Sequence, residues 1–137
     1  MHSRLDKLTA KQEYLFKHAR TAALTSVGVG RKGSYRLGAI IADGYNIVST
    51  GVNCLRTHPM LSPFTAYPFL HAETSAIIRC GLDNTIGCDL YVCRVWRDNR
   101  TFGEAKPCDV CSKFVQLAGI RNVYFTMKDG YYVAGIT

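Results

Sequence analysis

Two short runs in this 137-residue chain hold residue types that do chemistry: His71-Ala72-Glu73 and Pro107-Cys108-Asp109-Val110-Cys111. Both fall where the surrounding pattern starts a helix. A Cys-x-x-Cys on a first helical turn puts both thiols beside backbone N–H groups that have no acceptor within the helix. The helix dipole lowers their pKa toward thiolate. Thiolates bind zinc, and one imidazole beside them makes three protein ligands of a usual four. A fourth position left to water marks a catalytic site, because structural zinc is normally closed by four side chains. Glu73 lies two residues after the candidate imidazole. Zinc lowers the pKa of its water toward about 7, and a nearby carboxylate can carry protons between that water and a substrate. The candidate metal ligands are therefore His71, Cys108 and Cys111, and Glu73 is the candidate catalytic residue.

His-x-Glu combined with Pro-Cys-x-x-Cys is the signature of zinc deaminases. On these motifs and the element order, about residues 8 to 130 of the chain resemble the cytidine and deoxycytidylate deaminase superfamily. That superfamily also holds the tRNA adenosine deaminases and the polynucleotide cytidine deaminases. The resemblance implies a three-layer α-β-α fold and a bound Zn2+. It implies that Glu73 protonates the base ring nitrogen and later the leaving amine, and that the backbone N–H of Ala72 bonds the base carbonyl. A metal-bound hydroxide would attack the amino-bearing carbon. Asn53 stands where the family has an Asn that closes the second strand and contacts the sugar. Homo-oligomers, dimers or larger rings, are common in the superfamily and are expected here. Two departures are visible. Gly51-Val52-Asn53-Cys54 replaces the usual Gly-Tyr-Asn-Gly of deoxycytidylate deaminases, and the small cytidine deaminases mostly use Cys where this chain has His71.

The elements that must position these residues read out in order. Thr9-x-x-Gln12 is a capping box. A helix follows, with Tyr14, Leu15, Ala19, Ala22 and Ala23 on one face and an end near Ser26. His18 falls on that apolar face. The patterns predict strands over 35–42 and 47–52 with an Asp43-Gly44 hairpin turn between them. They predict helices over 71–80 and 107–118, and strands over 88–96, 122–126 and 131–136. Segments 53–70 and 97–106 read as loops. The fold class is α/β, with a mixed five-stranded sheet, helices on both faces and an antiparallel C-terminal hairpin. Residues 1–137 are expected to form a single zinc-dependent deaminase domain.

Composition narrows the class. At 47% hydrophobic and 20% charged, the chain is typical of a globular domain that can bury a core without disulfides. Its longest apolar run, Leu37 to Ala42, is far short of the roughly 20 residues of a membrane helix. The polar Met1-His2-Ser3-Arg4-Leu5-Asp6-Lys7 start lacks a signal-peptide core. The expectation is a cytoplasmic protein with no membrane partner. The six Cys then read as thiols or ligands, with Cys80, Cys88 and Cys93 as small core residues. Cys54-x-x-x-His58 is a weaker second metal candidate.

The net charge is +7, and +6 of it sits in residues 1–36. Lys7, Lys11 and Lys17 read as a solvated helix face. Arg31, Lys32 and Arg36 are different, because in the resembled fold the loop before the first strand borders the site mouth. They are expected to meet a substrate phosphate. Trp96 and the loop aromatics Phe64, Tyr67 and Phe69 are candidates to stack on a base. The leading expectation is deamination of a free cytosine nucleotide or nucleoside. One alternative is a base, cytosine or adenine, in single-stranded DNA or RNA. Another is a non-enzymatic zinc-stabilised module.

Overall fold

The computed structural model of the chain describes residues 2–26, 36–53, 72–95, 102–105 and 109–135. Strand β1 (His2–Leu5) precedes helix α1 (Ala10–Thr25), and a hairpin of β2 (Arg36–Asp43) and β3 (Asn46–Val52) follows. Then come α2 (Ala72–Cys80), β4 (Asp89–Val95), β5 (Phe102–Gly103), α3 (Asp109–Leu117), β6 (Asn122–Met127) and β7 (Gly130–Gly135).

Helix α1 starts on the expected capping box. Thr9 Oγ1 accepts from the Gln12 N–H at 3.2 Å, and Gln12 Oε1 accepts from the Thr9 N–H at 2.9 Å. It stops where Ser26 turns extended. Its buried stripe is Leu15, Phe16, Ala19, Ala22 and Ala23. The stripe includes Phe16 and leaves Tyr14 outside, which corrects two expectations. Tyr14 is 42% exposed, and His18 is exposed rather than on the apolar face. The two rings meet edge-on one turn apart, with centroids 4.6 Å apart.

The sheet is mixed, with spatial order β1-β7-β6-β4-β2-β3 and β5 joined to β4. Among the described residues it has seven strands, not the five expected. Among the described strands only β4 and β6 run parallel; the other pairs, including the C-terminal β6–β7 hairpin, are antiparallel. The two extra strands lack an apolar alternation. β1 is polar and is held by main-chain pairing to β7, with Arg4 donating to the Asp129 carbonyl at 2.9 Å. β5 has only two residues, paired with Arg94 and Val95 of β4 beyond the last β4–β6 pair at Val92. Buried Thr126 secures that corner by donating to the Gly103 carbonyl at 3.0 Å and accepting from the Arg94 N–H at 3.2 Å.

Side chains alternate across a strand, so β2 and β4 each serve two cores. Ala39, Ile41, Leu90 and Val92 join Ala72, Ala76, Ile77, Phe114, Val115 and Phe125 on the α2/α3 face. Ile40, Ala42, Tyr91, Cys93 and Val95 meet Leu15, Phe16, Ala19 and Ala23 beneath α1. Adjacent β7 residues split the same way. Tyr131 packs on Phe16, centroids 4.5 Å apart, while Tyr132 stacks on Phe125 at 5.8 Å.

Two glycines set how closely the helices sit. A Cβ on Gly38 of β2 would run into the α1 backbone at Ala19 and Ala23. A Cβ on Gly51 of β3 would run into the α2 backbone at Ala72 and Ala76. These glycines lie on neighbouring strands one register step apart, since Gly38 pairs with Val52 and Ala39 with Gly51. One end of this hairpin is thus clamped between two helices.

Candidate active site

Helices α2 and α3 pack against each other and against one face of the sheet. α2 begins at Ala72, directly after His71, and α3 begins at Asp109, directly after Cys108. Cys111 is the third residue of α3. His71 and Cys108 themselves lie outside the described residues, as does the side chain of Cys111. The same holds for Arg31, Lys32, Trp96, the aromatics at 64, 67 and 69, and the Cys54–His58 pair. The ligand motifs that adjoin the starts of α2 and α3 suit a zinc ion in the chemistry of their donors. Sulfur and imidazole donors are the set zinc prefers. The positive end of the α3 dipole favours thiolate. The residues present therefore fit the metal.

Glu73 is in the first turn of α2 and is only 2% exposed. Ala72 is fully buried, and as the first helical residue its N–H belongs to the set that the helix itself leaves unused. Gly51 brings this turn down onto β3, because Ala72 and Ala76 lie where its side chain would be. On the same strand, Ser49 Oγ donates to the Ala76 carbonyl at 2.7 Å and ties the middle of α2 to the sheet.

Asn53 follows the end of β3 and is 2% exposed. Its backbone N–H donates to the Leu37 carbonyl at 3.4 Å, and its Oδ1 accepts from the Leu37 N–H at 3.1 Å. Ser26 Oγ donates to the same Oδ1 at 2.7 Å. A main-chain N–H can only donate, so the atom facing Leu37 is fixed as the oxygen. Arg36 reaches the same corner, with its Nε donating to the Ser26 carbonyl at 3.4 Å. In the sequence Ser26 read only as the end of a helix, and Gly51 only as part of the run Gly51-Val52-Asn53-Cys54. Their roles arise from contacts between segments far apart in the chain.

The described cysteines behave as packing residues. Cys88 and Cys93 are buried, and Cys80 packs against the α2/α3 core. Burial pushes the Cys93 thiol up to about 12 and also raises Cys80 and Cys88. This is opposite to the lowering that a metal-ligating thiol needs.

A mixed sheet with α1 on one face, α2 and α3 on the other, and a buried Glu at the first turn of α2 defines a cytidine deaminase-like fold. Solved structures agree. Cytidine deaminase from Burkholderia pseudomallei superposes with a TM-score of 0.61 at 16% identity, covering 94% of each chain. The dCMP deaminase of cyanophage S-TIM5, in complex with dCMP and dUMP, gives a TM-score of 0.59 at 21% identity, over 87% of this chain and 83% of that one. RibD of Acinetobacter baumannii gives 0.55 at 17% identity, with 85% of this chain matching 28% of that one. No curated protein matches the chain. Residues 9–127 match the cytidine and deoxycytidylate deaminase zinc-binding region, and the chain belongs to that family. Among the described residues no helix is long and apolar enough to cross a membrane.

Proposed function

We propose that this protein hydrolytically deaminates the cytosine base of a free nucleotide or nucleoside, of the deoxycytidylate and cytidine class. The observation that carries the reading is the buried carboxyl of Glu73 in the first turn of α2, beside the helix start that follows His71. A carboxyl shielded from bulk water exchanges protons with a bound group rather than with solvent.

His71, Cys108 and Cys111 would hold the zinc ion, which when bound supplies an acidified, nucleophilic water. Glu73 takes a proton from the attacking water and delivers it to the ring nitrogen next to the amino-bearing carbon. It then carries the proton left on the newly added oxygen to the departing amine. One water is consumed, one ammonia leaves, and the C–NH2 becomes a carbonyl. The Ala72 N–H donates to the base carbonyl and holds the ring in register. Asn53 would contact the sugar, as the family resemblance implies. Arg36, with Arg31 and Lys32, gives the positive charge that favours a phosphate-bearing substrate, and Trp96 offers a stacking face. The complex of the cyanophage dCMP deaminase with dCMP and dUMP supports a nucleotide of this size for this fold.

The test is a panel of cytidine, deoxycytidine and deoxycytidylate with the zinc-loaded protein. Ammonia release is the readout, and Glu73→Gln is the control. Release from at least one of them, lost in the variant, is expected. Zinc-loaded protein inactive on all three contradicts the proposal.

A further inference from the structure

We infer that Thr126 is a positioning residue for the Cys108–Cys111 motif, acting through β5 and Ala105 on the chain that enters α3. The inference rests on the reading of Cys108 and Cys111 as zinc ligands. Strands β4 and β6 pair in parallel as far as Val92 and Phe125. Beyond that point β5 takes the place of β6 beside β4, paired at Arg94 and Val95. Thr126, the residue after Phe125, sits at this fork and is 0% exposed. Its hydroxyl donates to the Gly103 carbonyl at 3.0 Å and accepts from the Arg94 N–H at 3.2 Å. Its own carbonyl accepts from the Ala105 N–H at 2.8 Å. One buried residue thus holds the chain at positions 94, 103 and 105.

The chain that leaves the fork gives it a role in the site. Ala105 is 1% exposed and shares a core with Phe114 and Val115 of α3. Only Lys106 and Pro107 separate it from Cys108, and α3 begins at the next residue. A connection of two residues, one of them a proline with fixed φ, leaves little slack between the fork and the first thiol. A hydroxyl is the group this fork requires, since Gly103 presents an acceptor and Arg94 a donor, and a hydroxyl meets both. An apolar side chain of the same shape meets neither. Groups that orient metal ligands are worth about 10- to 100-fold in metal affinity. Thr126 acts through the backbone that delivers a ligand, so the lower end of that range is expected.

Zinc affinity, read by competition with a chromogenic chelator, and melting temperature test this in wild type, Thr126→Val, Thr126→Ser and Thr85→Val. Thr85 is the control, because it is also 0% exposed and donates to the Ala118 carbonyl at 2.7 Å, past the opposite end of α3. Thr126→Val should bind zinc roughly tenfold more weakly. Thr126→Ser keeps the hydroxyl and should stay near the wild-type affinity. Thr85→Val should lower the melting temperature without weakening zinc. Coupling is reciprocal, so wild type alone gives a second reading. Removing zinc should speed amide exchange at Arg94 and Ala105 several-fold more than at Gly87, whose N–H donates to the Gly119 carbonyl at 2.8 Å. Unchanged zinc affinity in Thr126→Val overturns the inference. So does a Thr126→Ser as weak as Thr126→Val, an equal weakening in Thr85→Val, or an equal acceleration at Gly87. A wild-type protein that takes up no zinc overturns the ligand reading itself, and this is seen before any variant is made.

Discussion

Ser26 at the end of α1 and Asn53 at the end of β3 are joined side chain to side chain by a 2.7 Å hydrogen bond between two buried residues. They are 27 positions apart in sequence. The bond fastens the helix on one face of the sheet to the strand that carries α2 on the other. Sheet, helix ends and candidate substrate contact thus share one corner.

Gly51 is a position in this corner with no room for a side chain. An added methyl would press on the α2 backbone at Ala72 and Ala76, which cannot yield as a flexible side chain can. Gly51→Ala should cost about 1–3 kcal/mol by overpacking, and should reduce kcat/KM as well by displacing the Glu73 turn. Gly44→Asn is the control, since Gly44 has φ +62°, a region Asn tolerates, and open space around it. Melting temperature and kcat/KM of the two variants check this. Equal effects would contradict the role given to Gly51.

The motif-bearing elements were legible in the sequence because they follow short-range rules. The capping box of α1, the helical spacing of α2 and the β2–β3 turn, which falls at Gly44-Tyr45, one residue past the expected Asp43-Gly44, each involve residues within a turn of one another. Strand β1 was not legible, because His2-Ser3-Arg4-Leu5 has no apolar alternation and pairs through its backbone with residues at the far end of the chain. β5 is too short to carry a pattern. Placing His18 on the apolar face failed for a related reason. Tyr14 reads as apolar, yet the stripe is set by how Phe16 fits against Tyr91 and Tyr131. In the site, Glu73 announced itself beside His71, whereas Ser26 has no neighbour in sequence that hints at Asn53.

Metal removal should separate two classes of cysteine. Chelation, or substitution of His71, Cys108 or Cys111, is expected to strip zinc, abolish activity and lower the melting temperature. Cys80→Ala and Cys93→Ala should retain the metal, because these thiols are core groups. Elemental analysis of each purified variant decides it. Zinc retained by Cys111→Ala, or lost from Cys93→Ala, would contradict the ligand assignment.

Alkaline pH should weaken the fold. Burial raises the folded-state pKa of Cys93 from 9.0 to about 12, and burial also raises Tyr91 and Tyr131. For Cys93, folded and unfolded states bind the same proton below about pH 9, so its contribution is fully present there. Above that the unfolded thiol ionises first, and the contribution is lost as pH climbs toward about 12. Urea midpoints at pH 8 and pH 10.5 should fall for wild type, and fall less for Cys93→Ala. The same decline in both would remove Cys93 as a cause.

Arg36 gives a way to weigh phosphate recognition. Its guanidinium is anchored at the Ser26–Asn53 corner, so Arg36→Ala should raise KM for deoxycytidylate by about tenfold and for deoxycytidine by much less. Equal effects on both would place the phosphate elsewhere. Tight, strongly salt-dependent oligonucleotide binding with deamination in the strand would favour a polynucleotide substrate.

The most direct measurement follows the oxygen. Zinc-loaded protein is incubated with deoxycytidylate, deoxycytidine and cytidine in heavy-oxygen water, and the products are read by mass spectrometry. The account predicts a uracil product with one heavy oxygen at the carbon that bore the amine, one ammonia released per product, and no conversion by Glu73→Gln. No conversion of any of the three by the zinc-loaded wild type, or equal conversion by Glu73→Gln, would contradict it.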